Sequence, residues 1–293
     1  MAASTERNER DGRLGGPDEL SEREQAAVET LCYRLADDEL VLGERYTEWQ
    51  VRAPTLESDL ALSNIAQDEF GHARLWYDLL EDFGYTEADL IFERDPGAFR
   101  HATLVELPFE KGDWADAIVR SYLYDAAEHL RLEALENSSY PRLADRVRKV
   151  LSEERYHREH ARNWLERLTA GAEGRERVQS AADRLFPHAL ALFEPVGESD
   201  ADVDALGLRT ESLDSMREQW LDTVLPFLSS LGIDAAPELC EGTDVESLLP
   251  ESVGRDGSHT DAWPELHAEM TRTYRDLGRT EARRIMSDPD DAE

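Results

Sequence analysis

Apolar residues return at helical spacing through most of the 293-residue chain, and no stretch alternates with period two for long enough to make a half-buried strand. The two periods reflect where helical and extended backbones point their side chains, so the pattern predicts an all-α fold. Ser21 is placed to open a first helix over 23–50, with Val28, Leu31, Leu35, Val41 and Leu42 as its inward stripe and Asp37-Asp38 as a candidate kink. Arg52-Ala53-Pro54 ends that helix, because proline disfavours helical backbone in the residue before it. A second helix is expected over 55–83, with Thr55 as N-cap and Gly84 just past its end. Residues 85–112 hold Pro96, Gly97, Pro108 and Gly112 and read as an irregular crossover. A third helix follows over 113–136, and the turn from Asn137 to Pro141 leads into a fourth that ends near 168. Two helical hairpins joined by one longer connection are an expected form of a four-helix bundle. Further helices are expected over 174–194 and 210–230, followed by a Gly/Pro-punctuated stretch over 232–257 and a last helix from about 260. The expected organisation is a disordered polar tail over 1–20, a single helical domain over 21–285 and a charged tail over 286–293.

Helix two carries Gln67-Asp68-Glu69-Phe70-Gly71-His72 and helix four carries Glu153-Glu154-Arg155-Tyr156-His157, so both hold Glu-x-x-His. Residues three apart share one face of a helix, which lets a carboxylate and an imidazole reach the same metal ion. A dinuclear carboxylate site in a bundle core needs two such motifs and one further acid from each remaining helix. Those acids are available: Glu39 lies 30 residues before Glu69, and Asp125 lies 29 residues before Glu154. With 37 Glu and 8 His in the chain, about one Glu-x-x-His arises by chance, so the two motifs alone decide little. Six ordered residues on four helices, repeated like an internal duplication, are more specific. Hard carboxylates and borderline imidazoles suit iron or manganese. Glu128, one turn after Asp125, is an equally placed acid, and the bland alternative is a metal-free bundle with satisfied polar positions. Gln67 and Asp68 are placed to support the ligands from behind. His129, His160 and His188 read as surface or packing residues, and Tyr46, Trp49, Trp76 and Tyr77 as core or interface aromatics.

Charge narrows the partners. Lys and Arg total 32 against 65 Asp and Glu, a net −33, which excludes a nucleic-acid or anionic-membrane binder acting through a basic patch. Only two lysines occur, Lys111 and Lys149, and a carboxylate-rich, lysine-poor surface points to adaptation to high salt. Cys32 and Cys240 form no C-x-x-C pair, and Cys32 falls on an apolar stripe. No apolar run approaches the roughly 20 residues of a membrane span, and the first residues lack the apolar core of a secretory signal. A soluble, cytoplasmic protein is expected.

The stretches RAPTLESDLALSNIAQDEFGHARLWY and SEERYHREHARNWLERL resemble the ferritin-like subunits of the multicomponent phenylacetyl-CoA ring 1,2-epoxidase, over about residues 25–280. The C-terminal SHTDAWPELHAEMTRTYR and the segment from Asp59 to Leu62 resemble the C subunit of that family. The resemblance implies a ferritin-like four-helix bundle with additional C-terminal helices, paired with a paralogous catalytic A subunit that holds a di-iron centre and binds the acyl-CoA. It further implies a reductase component that supplies electrons, and self-association of the isolated chain. C subunits of the family have lost several iron ligands, whereas here Glu39, Glu69, His72, Asp125, Glu154 and His157 all match the A-type pattern in residue type. The aspartate of that pattern selects Asp125 over Glu128. A partner-facing apolar patch is expected from Ile91, Phe92, Phe99, Leu104, Leu107 and Phe109 of the crossover and from Trp220, Leu225 and Phe227. The competing readings are a metal-free structural scaffold and a stand-alone ferritin-like di-iron oxidase or iron-storage bundle. Storage fits poorly with the crossover and the extra helices.

Overall fold

The computed structural model of the chain describes residues 12–49, 52–109, 113–195, 197, 199–240 and 242–278. Among them there is no strand, and the chain runs α1 Glu22–Thr47, α2 Leu56–Glu81, α3 Thr103–Glu106, α4 Trp114–Leu135, α5 Pro141–Thr169, α6 Ala172–Leu190, α7 Ser199–Ala205, α8 Leu213–Ser230, α9 Pro237–Cys240 and α10 Ala262–Asp276. The helix starts follow local chemistry. Ser21 caps α1 in a reciprocal capping box with Glu24, and Thr55 Oγ1 accepts the Ser58 N–H at the head of α2. Asp113 caps α4, and Pro141 occupies the first turn of α5, where its missing N–H costs nothing. Each of these ends stands within two residues of its place in the sequence pattern. Of the 1–20 tail, residues 12–20 are described: Pro17–Glu19 form one turn of 3-10 helix and Leu14 N–H donates to the Ser139 carbonyl at 2.8 Å. The tail over 286–293 lies outside the described residues.

α1 packs along α2 and α4 along α5, and the two hairpins meet through α2 and α5. α6 lies against α4 and α5, α8 against α4, and α7 against α1. Cys32, Tyr46, Trp49, Trp76 and Tyr77 are buried in the shared core. No described helix is long and apolar enough to cross a membrane.

Asp37-Asp38 does not kink α1, which runs unbroken from Glu22 to Thr47. Both acids point inward and are paired. Asp37 accepts from the Tyr77 hydroxyl at 2.6 Å, from Arg94 and from the Arg100 N–H at 2.7 Å. Asp38 accepts from Arg131 of α4, from Arg255 at 3.0 and 2.8 Å and from the Ala102 N–H at 2.8 Å. These bonds dock the crossover onto α1, so the segment over 88–109 packs tightly although it lacks a long helix.

The C-terminal stretch straps over the crossover. Gly254 has φ +86 and a Cβ placed there would sit 2.0 Å from the His101 carbonyl oxygen, so only glycine admits this approach. The crossover and α8 contribute less surface than the sequence suggests: Phe99, Leu104 and Trp220 are fully buried, and the Trp220 indole N–H donates to the Leu123 carbonyl at 3.0 Å. Ile91, Phe92, Leu107, Phe109, Leu225 and Phe227 are half-buried. The large apolar side chains that stand exposed among the described residues are Leu56, Leu60, Tyr156 and Leu277.

Candidate metal centre

Glu39 of α1, Glu69 and His72 of α2, Asp125 of α4, and Glu154 and His157 of α5 converge in the middle of the bundle, each 0% exposed. His72 Nδ1 lies 3.8 Å from Glu39, 3.9 Å from Glu69 and 3.5 Å from Glu154. His157 Nδ1 lies 3.6 Å from Glu69 and 3.1 Å from Glu154. The imidazole centroids are 6.1 Å apart. Glu69 and Glu154 therefore stand between the two rings, while Glu39 closes the His72 side. Two compact donor groups result, Glu39 with Glu69 and His72, and Glu69 with Glu154 and His157.

Asp125 and Glu128 are both buried on α4 but differ in what holds them. Glu128 receives the Arg131 guanidinium through both Nε and Nη2 on one oxygen, which offsets part of the burial that pushes its carboxyl up to about 8; its other oxygen has no partner. Asp125 accepts only the Ser121 hydroxyl at 2.8 Å, and its other oxygen has no partner. Burial and the nearby Glu154 charge push the Asp125 carboxyl well above the usual carboxylate range. Glu69 is pushed up in the same way by burial and by Glu39. His72 is raised to about 9, because the Glu39 and Glu154 carboxylates outweigh burial, which alone would lower it. His157 is likewise held well above its ordinary value, Glu154 and Asp68 overcoming burial.

The inner atoms are orphaned: both oxygens of Glu39, Glu69 and Glu154, Asp125 Oδ1 and the Nδ1 atoms of both histidines make no hydrogen bond. Buried polar groups of this kind need partners. Four carboxylates and two neutral imidazoles carry −4, which two divalent cations balance. The donor set thus fits a dinuclear centre in type, number and charge.

The outer nitrogens of the two rings are held by the opposite helix. Glu153 of α5 contacts His72 Nε2 at 2.8 Å, and Asp68 of α2 contacts His157 Nε2 at 3.3 Å. This exchange fixes each ring so that Nδ1 faces inward. Asp68 is placed as the sequence suggests, whereas Gln67 is exposed and donates to the Ser63 carbonyl at 3.2 Å. Glu153 is missed by spacing alone; the signal for it is the acid that precedes Glu in both motifs, Asp68-Glu69 and Glu153-Glu154. His129, His160 and His188 are half-buried and belong to none of the compact donor groups.

A second grouping, His101, Glu106 and His259, has no counterpart in the sequence reading. Here Glu106 satisfies most of the polar atoms, and His101 Nδ1 is the one left without a partner. Glu106 takes His101 Nε2 at 2.6 Å, His259 Nδ1 at 2.8 Å and the Thr260 N–H at 2.6 Å. Burial would raise the Glu106 carboxyl, but these imidazoles hold it at about 2. The grouping fastens the C-terminal strap to the crossover.

A family model described as phenylacetic acid catabolic protein matches residues 14–280. The C subunit of 1,2-phenylacetyl-CoA epoxidase from Escherichia coli (strain K12) is 33% identical over 247 residues, covering 83% of this chain and 94% of that protein. The A subunit of the same organism's epoxidase is 27% identical over 190 residues, covering 63% of this chain and 60% of that protein.

Proposed function

From the premise that the chain belongs to the phenylacetic acid catabolic protein family, we propose that it is the C-type subunit of a 1,2-phenylacetyl-CoA epoxidase and that its own bundle holds a di-iron centre. The choice between the two paralogues is carried by coverage: the match takes in 94% of the C-type relative but only 60% of the A-type one. The metal assignment is carried by the orphaned donors of six buried side chains.

Glu39, Glu69 and His72 would hold one cation and Glu69, Glu154 and His157 the other, with Asp125 as the sixth ligand. When bound, such a pair supplies the redox chemistry by which an oxygenase activates dioxygen. The chain's residues set the conditions. Glu153 and Asp68 keep the imidazoles in one tautomer and orientation, and Ser121 fixes one oxygen of Asp125. Full burial of the ligands keeps bulk water away from the centre. The partner is a paralogous A-type protein, with a separate reductase as electron donor; without its partner the chain self-associates. A stand-alone oxidase is less well supported, because α6 and α8 cover α4 and the family match extends through α10.

The test is a pair of substitutions in the assembled complex: Glu69→Ala with His72→Ala in this chain, and alanine at the matching ligands of the A-type paralogue. Loss of phenylacetyl-CoA epoxidation from this chain's changes, with assembly intact, assigns it a working centre. If only the paralogue's ligands matter, the centre here is structural, and failure of the two chains to associate removes the reading as an epoxidase component.

A further inference from the structure

On the outer side of the α4–α5 pair, facing α8, lies a cleft of about 280 Å³. Its floor is apolar, made by Tyr122, Ala126 and Leu130 of α4. Its wall is cationic: Arg158 and Arg162 stand one turn apart on α5. Neither guanidinium makes an ion pair or a hydrogen bond among the described residues, although acids outnumber Lys and Arg by 65 to 32 in this chain. Arg162 lies over the Phe227 ring at 3.9 Å, which orients its planar fork. At the floor, Tyr122 is 2% exposed and its hydroxyl has no hydrogen-bond partner. Burial pushes that phenol up to about 12, so it stays a donor at neutral pH. At the rim His129 pairs with Glu133 at 3.3 Å, and Glu133 is the cleft's one acid.

The geometry points to a binding site for a small organic carboxylate, its head on Arg158, Arg162 and the Tyr122 hydroxyl and its apolar body on Ala126 and Leu130. Two guanidinium forks match a carboxylate in plane and in charge. An orphaned buried hydroxyl supplies a third donor, as a satisfied site requires. The apolar floor selects against a bare inorganic oxyanion, and the volume lies near the lower end of small-ligand sites, which hold roughly 300 Å³ or more. No residue of the metal centre takes part, so this site stands or falls independently of the proposed function.

Equilibrium dialysis of the full chain at constant ionic strength, with benzoate, acetate and inorganic phosphate as probes, tests it. Benzoate should bind saturably at one site per chain, and acetate at least tenfold more weakly. Arg158→Gln should lower benzoate affinity by about tenfold or more, the loss expected for a charge-assisted hydrogen bond, and Tyr122→Phe by severalfold. Glu133→Gln, a change at the solvent-exposed rim, should raise affinity, which gives a readout that misfolding cannot imitate. Absence of saturable benzoate binding, equal affinity in wild type and Arg158→Gln, or tighter binding of phosphate than of benzoate overturns the assignment.

Discussion

Replacing Asp38 by alanine or asparagine should cost this protein much of its stability. The carboxylate is 0% exposed, and it is the acid that Arg255 pairs with, itself 0% exposed, at 3.0 and 2.8 Å. It also takes a hydrogen bond from Arg131, which is 4% exposed and keeps Glu128 as its other acid. Removing one partner of a buried charge network leaves the other charge uncompensated, at a cost of about 3–5 kcal/mol. For a chain of this size that corresponds to a Tm lower by roughly 5–8 °C. Asparagine should cost nearly as much as alanine, because it keeps the shape and loses the charge. The same acid sets an acid limb. Burial opposes its ionisation, but Arg255 and Arg131 lower its pKa from the ordinary 3.8 to about 2. A depressed folded-state pKa gives stability that is full above about pH 4 and is lost as pH falls toward 2, here on the order of 2–3 kcal/mol. Circular-dichroism melts at pH 7 and across that acid window measure both effects. A Tm for Asp38→Asn within about 2 °C of wild type, with an unchanged acid limb, would refute the reasoning.

The other expectations concern the centre and the charge. His72→Ala and His157→Ala should each remove most of the iron found by mass spectrometry after aerobic purification with iron, and negligible iron in the wild type sinks the metal reading. Glu153→Gln should weaken metal affinity by about 10–100-fold in chelator competition, and Asp68→Asn by less, since its contact to the imidazole is 3.3 Å against 2.8 Å; identical affinities for all three proteins would remove the role given to these acids. With a net charge of −33, thermal stability should fall as salt is lowered from molar to about 0.1 M, and a salt-independent melt contradicts self-repulsion as a large component.

The sequence shows most clearly what depends on local repetition. Helix limits at Ser21, Thr55, Asp113 and Pro141 are legible because a cap or a proline acts on its own turn. The six inward residues are legible because Glu-x-x-His recurs with an upstream acid at nearly equal spacing. Long-range pairing is not legible in this way. Asp37-Asp38 reads as a break in an apolar stripe, since nothing nearby announces that Arg94, Arg131 and Arg255 arrive from three other segments. Phe99, Leu104 and Trp220 read as partner-facing for a similar reason. Their cover is the strap over 253–263 and the stack of α6 and α8 on α4, which no periodicity encodes. Glu106 with His101 and His259 spans more than 150 residues and leaves no spacing to find.

The inner six residues are costly to a bundle whose only task is to support a neighbour. Ionised groups removed from water cost several kcal/mol each unless paired, and here four carboxylates sit together with most of their oxygens unbonded. The raised proton affinities of Glu69 and Asp125 express burial first and that repulsion second. A scaffold of the same shape would be more stable with apolar side chains at these positions, because burying an ion pair is at best neutral against a packed hydrocarbon. The arrangement becomes favourable when cations occupy it, since each carboxylate then gains the partner it lacks. Glu128, one turn from Asp125 on the same helix, differs in that an arginine donates twice to one of its oxygens. Asp125, Glu39, Glu69 and Glu154 take no hydrogen bond from an arginine, and the nearest partners of the three glutamates are the two imidazoles of the same cluster at 3.1–3.9 Å; this difference from Glu128 favours a metal-binding bundle over an inert one.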